Sequence, residues 1–191
     1  KKKKEPILSE IIIEGKLLAD VYVFKYLGSL FNKVADMENE LERRKVLAMS
    51  AFKRLQRKVF KYKFLRLKIK MKLYNTIVLS TLLWDCNNWV LSKNQLDKLE
   101  TFHTKNLRQI LGKTWEDKMT LETTYERTSS QRIEYQFKAR RLKMIAKIER
   151  MPDNMLPKMI LYGTIDRGDT NTNKMFTTGF TCDFKKDLKL F

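Results

Sequence analysis

A mainly α fold, a helical bundle with a short β-ribbon at its N-terminal end, is what this 191-residue sequence predicts. Three observations carry the prediction. Only 6 Gly and 3 Pro interrupt the chain, too few for the many tight turns of a strand-rich fold. From Leu41 onward the apolar residues recur at helical spacing, whereas the β-branched and aromatic clusters lie before Gly28. The hydrophobic fraction of 43% is enough to close a core at this length.

Residues 7–31 read as strands. Ile11-Ile12-Ile13, a turn at Glu14-Gly15-Lys16 and a return through Leu17-Leu18 come first; Val21 to Leu27 follows, with Gly28 as its stop. A ribbon of three strands is marginal alone, so it is expected to dock on something larger. A long amphipathic helix follows Asp36: Leu41, Ala48, Phe52, Leu55 and Val59 share one face, Glu38, Glu40 and Glu42 suit the positive end of its dipole, and Arg43 and Arg54 fall opposite. A second helix over 68–84 has a stripe of Ile69, Leu73 and Ile77 with Met71, Tyr74, Val78 and Leu82 beside it, and is expected to be the central, buried one. The third opens on a Ser92/Gln95 capping box, stops at Gly112 and turns Leu96, Leu99, His103, Leu107 and Ile110 inward. A short helix is expected after Thr120 and a long one from Ser130 to Arg150, ended by Pro152. Beyond Pro157 a polar loop through 167–173 and a short closing helix near 183–190 complete the reading. The segments divide as 1–35 ribbon, 36–112 helical core, 113–158 helical extension and 159–191 loop with closing helix.

Charge is the strongest functional signal. Forty Lys plus Arg against 22 Asp plus Glu leave +18, a field that attracts polyanions. Between Arg43 and Trp84 there is no acidic residue, and 43–72 holds 13 Lys or Arg. Lys53, Arg54, Arg57, Lys58 and Lys61 fall on the first helix, and Lys63, Arg66, Lys68, Lys70 and Lys72 on the turn and the second, so both sets are expected to face one groove. Such a ladder binds phosphates without reading sequence. A second cluster, Lys138, Arg140, Arg141, Lys143 and Lys147, is diluted by Glu134 and Glu149. Two readings stand for Phe60, Tyr62 and Phe64: stacking on bases, or plugging the corner between helices.

Other chemistries find little footing. Cys86 and Cys182 stand far apart with a single histidine, His103, so no zinc set assembles and reduced thiols are expected. His103 reads as a core histidine bonded to a neighbour. Asp85 and Asp97 read as surface or cap residues, and Asp183 and Asp187 as a solvated face. No phosphate-cradling glycine loop is present. No apolar run reaches the ~18–20 residues of a membrane span, and the apolar helix faces look committed to one another rather than to a bilayer. The Lys1–Lys4 run is read as a solvated tail or a nuclear-import patch. The absence of an initial methionine fits a piece of a longer polypeptide.

The phrase Phe24-Lys25-Tyr26-Leu27-Gly28-Ser29 resembles the Tyr-Leu-Gly strand that closes the palm of non-LTR (LINE-type) retrotransposon reverse transcriptases. Further phrases are similar in order: Ala51-Phe52-Lys53-Arg54-Leu55, Lys72-Leu73-Tyr74, Val78 to Trp84, Cys86 with Trp89, Leu99 to His103, Leu107 to Gly112, Arg140-Arg141-Leu142, Arg150-Met151-Pro152-Asp153 and Asp183 to Leu188. The likeness spans roughly 11–191 and is densest over 24–112. It implies the end of a palm followed by a helical thumb, which grips template–primer duplex: RNA, DNA or RNA–DNA hybrid. The family's Tyr/Phe-Ala-Asp-Asp metal strand is missing upstream of Tyr26, so no catalysis and no cofactor are expected of this chain; magnesium belongs to the parent polymerase. The family's Gly and Glu near Cys86 and Trp89 are Asp85 and Asn88 here, and its Gly-His after the Arg-Arg-Leu helix is Ala146-Lys147. These departures keep open a recruited copy serving as a structural subunit of a larger ribonucleoprotein assembly. The expected partners are nucleic acid and the rest of a polymerase or such an assembly, not a membrane, and the expected location is intracellular and nuclear.

Overall fold

The computed structural model describes residues 11–19, 21–33, 37–114 and 116–162. The loop expected at 167–173, the closing helix near 183–190 and Cys182 lie outside the described residues. Two small antiparallel hairpins come first. Strands β1 (Ile12–Ile13) and β2 (Lys16–Leu17) pair across Glu14-Gly15; β3 (Val23–Tyr26) and β4 (Ser29–Asn32) pair across Leu27-Gly28, with Tyr26 opposite Ser29. Both turn residues of the second hairpin have positive φ, 46° at Leu27 and 86° at Gly28. That is the two-residue geometry whose twist matches the flanking strands. Gly28 is therefore a reversal and not a stop, and the expected three-stranded ribbon is two hairpins with a fourth strand at Ser29–Asn32.

Six helices follow among the described residues, which are mainly helical. Helix α1 (Glu38–Leu55) runs on through a π-helical turn at Gln56–Phe60. Helix α2 (Leu67–Leu73) continues through π-helical Tyr74–Leu79 to a last α turn at Ser80–Leu82. A 3₁₀ turn at Cys86–Asn88 leads to α3 (Lys93–Ile110), then α4 (Leu121–Thr128), α5 (Ile133–Glu149) and α6 (Leu156–Tyr162). The last is a correction to the loop expected beyond Pro157. Proline is tolerated in the first turn of a helix, where its missing N–H costs no bond.

The predicted inner faces of α1 and α3 are buried or half-buried as read. Ser92 and Gln95 form the capping box, and Gly112 takes a φ of 67° where α3 ends. Along the α2 rod the buried stripe is Met71, Tyr74, Val78, Leu79 and Leu82, while Ile69 and Ile77 stay 45% and 37% exposed. The stripe that faces the core is the neighbouring one, at ordinary helical spacings of three and four residues, and it carries on through the π-helical stretch. Hydroxyls help to satisfy its loosened carbonyls: Thr76 donates to Lys72 O (2.8 Å), Ser80 to Asn75 O (3.0 Å) and Thr81 to Ile77 O (2.7 Å).

One buried cluster joins α1, the α2 rod, α3 and the N-terminal half of α5; it includes Phe52, Phe60, Tyr74, Trp89, Leu99, Ile133 and Phe137. The boundary expected at 112/113 therefore does not divide the core. Near its middle Phe52 stacks on Phe60 with centroids 4.7 Å apart. His103 is fully buried there, bonded to Tyr74 Oη (2.8 Å) and Ser130 Oγ (3.3 Å). Burial lowers its pKa from 6.5 to about 4. Burial likewise pushes the Cys86 thiol up to about 11, which leaves it an inert core group. Glu100 of α3 joins three helices: Tyr125 Oη of α4 donates to its carboxylate, and so does the backbone N–H of Ile133 at the start of α5 (2.8 Å). Here the N-terminal anion that helices favour comes from a neighbouring helix.

The β3–β4 turn is clasped to α1 by charge. Buried Glu40 pairs with Arg44 (2.6 Å) and accepts the Leu30 N–H (2.9 Å), while Arg43 and Arg44 both donate to Gly28 O. Ser29 Oγ donates to Asp85 (2.9 Å), which also accepts from Asn88. Glu40, expected only as an acid that suits the helix dipole, is thus an internal partner, and Arg43 folds toward the hairpin. Asp85 is a half-buried tie between hairpin and bundle.

Candidate nucleic-acid interface

The acid-free run folds into the C-terminal end of α1, a tight bend and the start of α2. Of its predicted contact residues, Lys53, Arg54, Arg57, Lys58, Lys61, Lys63, Arg66, Lys68 and Lys72 are exposed. Arg57 and Lys58 lie in the π-helical last turn of α1, where the unpaired carbonyls of a helix end favour cations. No acidic residue within 43–84 is available to neutralise this stretch locally.

Lys70 is different, and its placement is a correction. It is only 9% exposed, and its Nζ donates to the Phe60 carbonyl at 2.8 Å. The carbonyls at the end of α1 have no helical partner, and this ammonium supplies one. Lys70 therefore fastens the bend instead of facing a ligand.

The exposed cations do not all line one groove. Lys53 and Arg54 border an open cleft of about 760 Å³ between α1 and α3, shared with Glu42, Lys45, Val46, Met49, Ser50 and Phe102. Lys68 and Lys72 border a second, of about 740 Å³, between the α2 rod and α4, with Asn75, Thr76 and Arg127. The bend from Lys61 to Arg66 joins the two helices that carry these clefts. Sequence reasoning missed Arg127 because Glu122 and Glu126 surround it on α4, so it carried no single-sign signal. Asn75 was missed for a different reason, lying on a helix expected to be buried all round.

The second predicted cluster does not survive as a patch. Arg141 is 2% exposed; it donates to Trp89 O (2.7 Å), and its guanidinium sits 4.4 Å from the centroid of the Phe137 ring. Arg140 is half-buried and donates to Leu83 O (3.1 Å). Lys138 pairs with Glu134 at 2.6 Å. Arg140 and Arg141 thus hold the connection after α2 onto α5, and Lys143 and Lys147 alone stay fully outward. Packing recruited these guanidiniums because the connection at 83–89 turns the Leu83 and Trp89 carbonyls toward α5, where a guanidinium fork can reach them.

The three aromatics of the bend part company. Phe60 is buried and plugs the corner, as one of the two readings holds; Tyr62 and Phe64 stand in solvent. Among the described residues no group of three or more His, Cys, Asp or Glu is placed to hold a metal ion, and no helix is long and apolar enough to cross a membrane. The arrangement can attract and hold a polyanionic backbone. Neither a known protein family, nor a curated protein, nor a solved structure matches the chain.

Proposed function

We propose that this chain is a nucleic-acid-binding thumb region of a LINE-type reverse transcriptase, one that grips template–primer duplex and does no chemistry by itself. The single observation carrying the binding is that nine cations between Lys53 and Lys72 are exposed, on two clefts and the bend between them, in a stretch without acids. The ordered phrases from Tyr26-Leu27-Gly28 to Arg140-Arg141-Leu142 supply the family part of the reading. A helical bundle following a small β element is compatible with a thumb behind the end of a palm. The ligand class is RNA, DNA or their hybrid, held by its phosphates, and the location proposed for such a protein is the nucleus.

Fluorescence anisotropy on a blunt RNA–DNA hybrid tests the binding. Each phosphate contact contributes about 0.9 to the slope of log K against log salt, so several contacts give a steep decline. A flat salt response refutes the reading.

One observation favours a second reading, a recruited structural subunit of a larger ribonucleoprotein assembly. Tyr22, Phe24, Tyr26 and Phe31 of the second hairpin are all exposed, as is Trp84 beside it. An apolar surface of this extent suits a protein neighbour. Recovery of the chain in a stable complex that lacks a polymerase and makes no RNA contact through α1 and α2 supports this reading against the first.

A further inference from the structure

The bend between α1 and α2 holds two aromatic rings out in solvent on a fastened backbone. Lys61 N–H donates to Gln56 O (2.8 Å), Tyr62 N–H to Val59 O (3.3 Å) and Leu65 N–H to Tyr62 O (3.4 Å). The last of these closes a turn with Lys63 and Phe64 at its tip. Lys70 grips the Phe60 carbonyl from below, and buried Phe60 and half-buried Leu65 pin the two sides. Phe64 is 87% exposed and Tyr62 53%. Their ring centroids are 5.7 Å apart with a tilt of 59°, so Tyr62 braces Phe64 and leaves its outer face open. Lys61, Lys63 and Arg66 stand exposed around them.

A single apolar residue in solvent needs no explanation. Two rings in contact, on a backbone held at both ends, beside exposed cations in a run of chain that holds no acid from 43 to 84, are a different matter. The core does not use them, since Phe60 already fills the corner. Aromatic faces beside a positive track are how proteins hold unpaired bases, and a preorganised ring gives up little freedom on binding.

We propose that the Tyr62–Phe64 corner is a base-stacking site. An unpaired base lies on the open face of Phe64, and the phosphates on either side of it meet Lys61, Lys63 and Arg66. This rests on the nucleic-acid reading above and adds a preference to it, for strands with unpaired bases over a fully paired duplex. Buried Lys70 is a positioning residue for this site.

The test compares the chain with its Phe64→Ala and Phe64→Trp variants, using anisotropy on a fluorescent oligothymidylate and on a blunt RNA–DNA hybrid. Phe64 is so exposed that neither variant is expected to disturb folding. Phe64→Ala should weaken oligothymidylate binding roughly 5- to 150-fold, the range of one lost stack, with the salt slope and the blunt-hybrid affinity unchanged. Phe64→Trp should keep the affinity, and its indole emission should be quenched when oligothymidylate is added. Equal losses on both ligands, or no loss on oligothymidylate, overturn the stacking site while leaving phosphate binding in place. Unchanged oligothymidylate binding together with a Phe64-dependent association with phosphatidylserine vesicles assigns the corner to lipid and overturns it too. If the unaltered chain binds neither nucleic acid, the nucleic-acid reading itself fails, and the stacking site with it.

Discussion

Neutralising Arg57, Lys58 and Lys61 together tests the proposed phosphate binding apart from everything else these residues do. All three are exposed, and among the described residues no hydrogen bond or ion pair ties their side chains to the bundle, so a triple change to Gln should leave the unfolding midpoint nearly unmoved. If each meets one phosphate, the slope of log K against log salt falls by about 0.9 per residue, or roughly 3 for the triple variant. At physiological salt of about 0.15 M the same counterion argument weakens binding about 5-fold per contact, and so roughly 100-fold in all. The assay is anisotropy on a blunt RNA–DNA hybrid at a series of salt concentrations, with urea unfolding run in parallel. An unchanged slope, whatever the change in affinity, refutes the placement of phosphates on this turn. A lowered slope accompanied by a collapse in stability refutes the claim that these side chains are free of structural duty.

Lys70→Met should behave in the opposite way, losing about 1–3 kcal/mol of stability because the Phe60 carbonyl is left unpaired, with no change in salt slope; urea unfolding and anisotropy read both. Arg141→Ala should cost about 2–3 kcal/mol through the bond to Trp89 O and the contact with Phe137, again measured by urea unfolding and again without effect on the slope. Glu40→Ala strands the buried Arg44 guanidinium and should cost about 3–5 kcal/mol, with hydrogen exchange at Leu30 rising first because its amide loses its acceptor. His103 is held neutral at a pKa of about 4, whereas the unfolded chain takes up that proton below the ordinary value of 6.5. Its contribution is therefore complete above pH 6.5 and is lost as pH falls toward 4; the chain should be about 2 kcal/mol less stable at pH 5 than at pH 7 on this account, and His103→Gln should remove that part of the dependence.

Much of the fold could be read from the residues because local signals and packing agree. Ser92, Gln95 and Gly112 punctuate α3 through backbone bonds that need only near neighbours. The stripe of α1 follows from its period alone. The α2 rod shows where periodicity fails: Ile69 and Ile77 satisfy a helical repeat, but so do Met71, Tyr74, Val78 and Leu82, and only packing decides that the second stripe turns inward. The hairpin turn was hidden because Leu27 takes a positive φ that its type rarely adopts. For the candidate site, the charge run told where cations concentrate but not which of them have work inside. Lys70 and Arg141 look like their neighbours in composition; what distinguishes them is a carbonyl orphaned by a helix end or an irregular connection, a tertiary fact. Arg127 shows the converse, a cation concealed among acids until folding sets it beside Lys68 and Lys72.

The clasp at Gly28 has a mechanical side. Two guanidiniums and a carboxylate weld the hairpin to the first turns of α1, while the aromatic bend grows from the other end of the same rod. Eighteen residues at 1.5 Å each make a lever of about 27 Å, so a hinge of about 5° at the welded end would sweep the far tip by about 2 Å. Whatever seats itself against the exposed rings of the hairpin thereby acquires leverage over where Phe64 stands.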